Sequence, residues 1–316
     1  MGNGPRYVPE DGALVEVSNR TIQGRFLLRP SPELNEIIVG LMGRAQRRSG
    51  LRIIAFQFLS DHYHLLVWAD DAQQLASFME YFNGNLAREA GRASNWRGKF
   101  WTRRYHSAIV GDDGQSQLDR LRYILSNGCK EGLVASPLDW PGVGATSALL
   151  DGSMVLRGKW FDRTRQYWEK RAGRREIFSE DEGVHLSQLP GLAQMSDENY
   201  RQTIQVVVEQ IERDTLQMHK ANGTKPAGAK WVLRQKPHRV PKDMKTSPAR
   251  KFLASFRHII TKLRTAYREF LRRYREASAR LRSGDRMAEF PLGCFPPRLP
   301  FVRAGPDADV GASSTG

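Results

Sequence analysis

Asp61-His62-Tyr63-His64-Leu65-Leu66-Val67-Trp68 follows directly on the apolar run Leu51-Arg52-Ile53-Ile54-Ala55-Phe56-Gln57-Phe58-Leu59. The two read as strands that meet at a tight polar turn, Ser60-Asp61. Residues two apart on a strand share a face, so His62 and His64 aim two imidazoles at one place, about 6 to 7 Å apart along the backbone. That arrangement suits a shared divalent cation. Tyr63, Leu65 and Val67 fall on the other face, where helices can cover them. One side of this strand is expected to be buried and the other chemical. Alone, His-x-His is a weak motif, and its bland reading is two half-exposed strand histidines.

A second stretch adds weight to the first. Leu118 to Cys129 reads as a helix in which Leu118, Leu121, Leu125 and Cys129 form one apolar stripe at about 100° per residue. Tyr123 and Asn127 lie opposite that stripe and, being four apart, are neighbours on the polar side. A tyrosine that served only the core would belong on the stripe. The bland reading of Asn127-Gly128 is a helix C-cap with Gly128 left-handed.

Taken in order, His62-Tyr63-His64, then Tyr123-Ile124-Leu125-Ser126-Asn127, then Gly132-Leu133-Val134 and Asp139-Trp140 resemble the IS200-like single-tyrosine (Y1) transposases of the HUH superfamily. The similarity is greatest to the REP-associated tyrosine transposase group. Ser18 to Leu28 also resembles that family's opening strand region, so the likeness spans about residues 6 to 150. It departs at Ser60-Asp61, where the family usually has Pro-Asn, at Gly128, where it has proline, and at Tyr63, where it has a small aliphatic residue. The resemblance implies that Tyr123 is the catalytic nucleophile and that His62, His64 and Asn127 hold Mg²⁺ or Mn²⁺. It also implies cleavage of single-stranded DNA, often beside a hairpin, with a 5′-phosphotyrosine and a free 3′-hydroxyl as products. Arg20, Arg25, Arg103, Arg104, Arg122 and Lys130 accompany these motifs and are candidate nucleic-acid contacts. His106 is a rival metal ligand, ranked below Asn127.

Along the chain the patterning gives strand, helix from Pro32, the two strands above, a helix from Ala72 to Ala93, a fourth strand over 99–110, and the Tyr123 helix. That order predicts an α+β fold: a ferredoxin-like antiparallel sheet with helices on one face, plus one added helix folding back toward the histidines. Four regions are expected. A catalytic domain fills 1–150 and a helical and irregular accessory region 151–222. A basic extension over 223–303 carries a long helix at 247–283, and 304–316 form a disordered tail.

The net charge of +15 and pI near 10.1 favour a polyanionic partner. Residues 1–150 hold 17 Lys/Arg against 15 Asp/Glu, so the excess lies in the second half, most densely over 225–286, with 19 basic residues against four acids. Trp160, Phe161, Tyr167 and Trp168 stand among arginines there, where they suit either packing onto the main domain or base stacking. Two distant cysteines exclude a disulfide framework and a cysteine-rich zinc site. No run reaches the roughly 18 to 20 apolar residues of a membrane helix, and Met1 to Arg6 lack the apolar core of a secretory signal, so a cytoplasmic protein is expected; the family resemblance implies a bacterial, nucleoid-associated one. A homodimer and a monomer both stay open. A protein of the same fold that binds structured single strands without cutting them is the alternative; a His-x-His metal hydrolase and an RNA-binding module fit less well.

Overall fold

The computed structural model describes residues 5–174, 177–241 and 250–298. Its first 130 residues run β1 (Ala13–Arg20), α1 (Pro32–Ser49), β2 (Arg52–Phe58), β3 (His62–Ala69), α2 (Ala72–Ala93), β4 (His106–Val110), α3 (Gly114–Leu125) and the short α4 (Asn127–Lys130). There follow α5 (Thr146–Leu150), β5 (Val155–Phe161), α6 (Arg163–Arg171), β6 (Ser179–His185), α7 (Asp197–Asn222), α8 (Ala229–Leu233), β7 (Phe252–Leu253) and α9 (Arg257–Arg282). Helix bounds follow from local chemistry. Ser31 caps α1 by accepting from the Leu34 amide, Pro32 takes the first turn, and Gly50 closes the helix at φ 69°. Asp71 caps α2 through the amides of Gln73 and Gln74.

The main sheet has the order β2-β3-β1-β4-β7, antiparallel except for the last pair. Register places His64 opposite Ser18 on β1, and Ser18 opposite His106 on β4, in one cross-strand row. The odd residues of β3 are fully buried on the other face, where Tyr63 packs against Phe58, Phe82 and Trp101 and its hydroxyl donates to Asn83 of α2. Because His64 and Tyr63 point to opposite faces, α2 and α3 lie on opposite sides of the sheet. The added helix thus folds onto the histidine face.

Several expected elements are shorter than their patterns. β1 stops at Arg20, and a 3₁₀ turn at Ile22–Gly24, with Gln23 at φ 54°, carries the chain away. β4 begins only at His106; upstream, Trp101 forms an isolated bridge with Thr21. The Tyr123 helix buries Leu121, Leu125 and Cys129 as its stripe predicts. It breaks after Leu125, however, and Asn127 at the head of α4 is 2% exposed rather than on a polar surface. Gly128 is not left-handed; Gly132 is, at φ 67°. A Cβ on Gly128 would come within 3.1 Å of Trp140 and Val134, a tight fit that their side chains would have to accommodate.

β5 and β6 form a separate hairpin laid on α1, with Gly40 and Gly158 at the contact: a Cβ on Gly40 would lie 2.2 Å from the Lys159 carbonyl. Glu182 on β6 is clamped by Arg44 at 2.8 Å and Arg47 at 2.7 Å. On α6 Tyr167 and Trp168 are more than half exposed, with Arg171 over both rings, whereas Trp160 stacks under Arg44 at 3.9 Å. α7 starts at its Ser196 cap and buries Tyr200, Ile204, Val208 and Ile211. The helix expected from 247 begins at Arg257, because Phe252 and Leu253 instead extend the sheet beside Ile109 and Val110. Residues 246–248, expected to start that helix, and the tail at 304–316 lie outside the described residues.

Candidate active site

Each histidine of β3 is held by a carboxylate. His62 Nδ1 lies 2.7 Å from Asp61 Oδ1 and His64 Nδ1 lies 2.7 Å from Glu16 Oε1. Both ring nitrogens nearest the backbone are thereby occupied, which leaves each Nε2 as the ligand atom. The two ring centroids are 5.3 Å apart. Two imidazoles sharing a cation through Nε2 at about 2.1 Å, with roughly 90–110° between them, have centroids about 4.5–5.5 Å apart. The pair therefore fits a divalent cation. Among the described residues no group of three or more His, Cys, Asp or Glu side chains is arranged to hold a metal ion.

Electrostatics fix the protonation of His64 and its carboxylate partner. Burial opposes the charge on Glu16, but the hydrogen bond from His64 and the charge of Arg120 outweigh it and hold the carboxyl below its usual range. Burial, opposed by Glu16, lowers His64 below the usual histidine value, so the ring is neutral at pH 7 and donates its Nδ1 hydrogen. At Asp61 burial is likewise outweighed by His62 and Arg20, and its pKa is lowered. Burial also lowers His106.

Tyr123 reaches this site from α3. Its ring meets that of His64 edge to face, with centroids 5.6 Å apart. Arg120 lies 4.4 Å over the Tyr123 ring and 2.9 Å from the second oxygen of Glu16, and Lys130 Nζ lies 4.3 Å over the same ring. Asn127 arrives differently. Its amide nitrogen donates to the carbonyls of Tyr123 and Ile124, both at 3.1 Å, which ties the side chain to the end of α3.

His62, His64, Tyr123 and Lys130 are thus gathered at one place, and the other expected cations are spread around it. Arg20 lies 3.6 Å from Asp61, Arg122 pairs with Asp214 of α7, Arg25 covers the Trp96 ring at 5.0 Å, and Arg103 and Arg104 are exposed near that tryptophan. A cavity of 440 Å³ opens between Tyr123, Ser126 and Lys130 on one side and Ile211, Thr215 and Met218 of α7 on the other. Glu16 and Arg120 were missed from sequence. The available signal was a lone acid inside the apolar run Ala13-Leu14-Val15-Glu16-Val17.

Residues 30–127, which include both histidines, Tyr123 and Asn127, match the sequence profile of the family described as transposase, IS200-like. This domain belongs to the IS200-like transposase family. The chain carries the domain of a tyrosine transposase, and Glu16 lies outside the matched segment. Among solved structures this chain is similar to a REP-associated tyrosine transposase bound to a REP hairpin, at 19% identity over 46% of this chain and 82% of that one, with a TM-score of 0.36. It is also similar to a candidate transposase from Deinococcus radiodurans, at 21% identity over 38% of this chain and 94% of that one, with a TM-score of 0.28. No curated protein matches. Among the described residues no helix is long and apolar enough to cross a membrane.

Proposed function

We propose that the protein cuts and rejoins single-stranded DNA at hairpin-flanked sites, with Tyr123 as nucleophile and a divalent cation held by His62, His64 and Asn127. The observation that carries this reading is the contact of the Tyr123 ring with a neutral His64 whose orientation is set by Glu16. Tyr123 Oη attacks phosphorus; the Tyr–O–P bond forms and the P–O3′ bond breaks, and the tyrosine proton is delivered to the leaving 3′-oxygen. One phosphoester replaces another, so a 3′-hydroxyl can reverse the step without ATP. Mg²⁺ or Mn²⁺, when bound, would neutralise the phosphate oxygens and polarise the phosphorus. With its amide nitrogen engaged in the helix, Asn127 offers its oxygen as the third ligand.

Arg120 and Lys130 add positive charge beside the attacking tyrosine, where the transition state gathers negative charge. Arg20, Arg25, Arg103, Arg104 and Arg122 guide the DNA backbone toward the site. One chain supplies both histidines and the tyrosine, so the reading needs no second copy; a homodimer exchanging the tyrosine helix is the other arrangement the resemblance implies. The excess charge of +15 suits an association with the nucleoid.

The test is incubation with labelled single strands taken from the gene's own flanking DNA, with Mn²⁺ or Mg²⁺, resolved on denaturing gels. A protein-linked DNA band is expected for wild type and not for Tyr123→Phe or His64→Ala. A protein that shifts these strands in native gels yet never forms that band is instead a silent structured-DNA binder.

A further inference from the structure

A second cavity, of 820 Å³, lies at the far end of α2 under the loop that leads to β4. Its size is within the range of about 300–1,000 Å³ typical of ligand sites. Trp96 and Trp101 line it, both half-buried, so that each is held without being covered. Trp96 is set by the left-handed turn at Asn95 (φ 49°) and is backed by the Arg25 guanidinium at 5.0 Å and the His238 ring at 5.6 Å. Trp101 donates its indole hydrogen to the Asn83 carbonyl at 3.1 Å.

The cations on the same wall are Arg88, Arg97, Lys99, Arg103 and Arg104, all exposed. Among the described residues none of the five is ion-paired with a carboxylate. The one acid nearby, Glu89, is already engaged by Arg92 and by Arg163 at 2.7 Å. Five unneutralised charges around two aromatic rings are costly for a surface that binds nothing, since they repel one another. They match the two halves of a nucleotide, a π-face and a phosphate.

The cavity is also joined to the candidate active site. The Thr102 amide donates to the Arg20 carbonyl at 2.9 Å, and Arg20 lies beside Asp61, which holds His62.

We propose that this cavity binds unpaired nucleotides of the DNA beside the cleaved phosphodiester, their bases stacked on Trp96 and Trp101 and their phosphates on Arg97, Lys99, Arg103 and Arg104. The proposal rests on the DNA chemistry inferred above and adds to it a recognition subsite away from Tyr123.

The experiment uses the full chain carrying Tyr123→Phe, so that binding is read without cleavage, and a fluorescent single-stranded oligonucleotide from the flanking DNA titrated at several salt concentrations. Trp96→Ala is expected to weaken binding about 5- to 100-fold. Arg97→Ala with Lys99→Ala, both exposed and harmless to folding, is expected to flatten the log–log salt dependence by about 0.7 for each phosphate that is no longer neutralised. Fully paired duplex of the same sequence should be little affected by Trp96→Ala. Unchanged affinity and salt slope in both variants, with wild-type binding intact, would overturn the subsite and leave the proposed cleavage standing. Equal losses on duplex and single strand would overturn base stacking. If the Tyr123→Phe parent binds no single strand and wild type forms no adduct, the proposed function fails and takes this subsite with it.

Discussion

Glu16→Gln tests the part of the site that sequence did not reveal. The carboxylate sits 7% exposed between His64 Nδ1 at 2.7 Å and Arg120 at 2.9 Å. Glutamine keeps the volume but replaces one acceptor with a donor. With its oxygen toward His64 the amide nitrogen faces Arg120, donor against donor; turned over, it faces the His64 N–H. One partner is left unsatisfied unless His64 gives up its Nδ1–H tautomer, at a cost of roughly 1–3 kcal/mol. The penalty stays below the 3–5 kcal/mol typical of a broken buried ion pair because the Arg120 side chain keeps 20% exposure and can reach water. At roughly 2–4 °C per kcal/mol for a chain of this size, the melting temperature should fall by about 2–12 °C.

The functional loss should exceed what this destabilisation explains. With its Nδ1 partner weakened, the His64 ring is free to rotate or to change tautomer, and loss of such a supporting bond typically costs about 10- to 100-fold in metal affinity or activity. The assay is the rate of protein–DNA adduct formation against Mn²⁺ concentration at 20 °C, well below the melting range, with melting followed by circular dichroism. Glu16→Asp, which keeps the charge at shorter reach, should recover part of the rate. A Glu16→Gln protein that melts early yet forms adduct at the wild-type rate with the wild-type Mn²⁺ dependence would show that Glu16 is only structural.

Three further outcomes follow from local geometry. Glu182→Gln should lower stability at pH 7 by roughly 1–2 kcal/mol, since the carboxylate joins Arg44 and Arg47 but Arg47 is largely solvated. Although burial opposes it, these two arginines hold the Glu182 pKa below its usual value, so its contribution is present above about pH 4.5 and is lost as pH falls through the folded value; the melting gap between variant and wild type should close in acid. Gly40→Ala should destabilise by about 1–3 kcal/mol or more, measured by urea unfolding, because its methyl would overlap the Lys159 carbonyl of the β5–β6 hairpin. Cys129 is fully buried and its thiol is pushed up to about 12 by burial, so iodoacetamide at pH 8 should label it only after unfolding, as mass spectrometry would show.

What could be read from the sequence was what depends on neighbours along the chain. α1 begins and ends where Ser31, Pro32 and Gly50 place it, and α2 spans the residues its apolar spacing predicts. The facing histidines and the buried stripe of the Tyr123 helix follow from periods of two and 3.6. What could not be read depends on contacts between distant segments. Glu16 becomes the partner of His64 only through the β1–β3 register, 48 residues away. Asn127 leaves the polar face because α3 ends at Leu125 and α4 starts at Asn127, a break that no local pattern announces. Phe252 and Leu253 carry helical spacing and still join the sheet, since β4 offers an open edge.

The segments outside the matched domain also bear on where Tyr123 points. α3 is only 12 residues long, too short to hold itself in water, so its position is set by what grips it. From the extension, the Ser255 amide donates to Ser116 Oγ at 2.9 Å and the Ser255 hydroxyl to Asp119 at 2.5 Å. The Gly191 amide, in the loop before α7, donates to Gln117 at 2.8 Å, and α7 itself pairs Asp214 with Arg122. These grips come from two sides and engage successive faces of the helix, so they fix its rotation as well as its place. Rotation decides the chemistry, because a slip of one residue turns a helix by about 100° and would carry the Tyr123 ring away from His64. The apolar stripe of Leu121, Ile124 and Leu125 sets which side of α3 faces the sheet, but packing of similar side chains tolerates small shifts better than hydrogen bonds of fixed length do. The accessory helix and the basic extension therefore hold α3, and with it the Tyr123 ring, from positions 74 to 139 residues away along the chain.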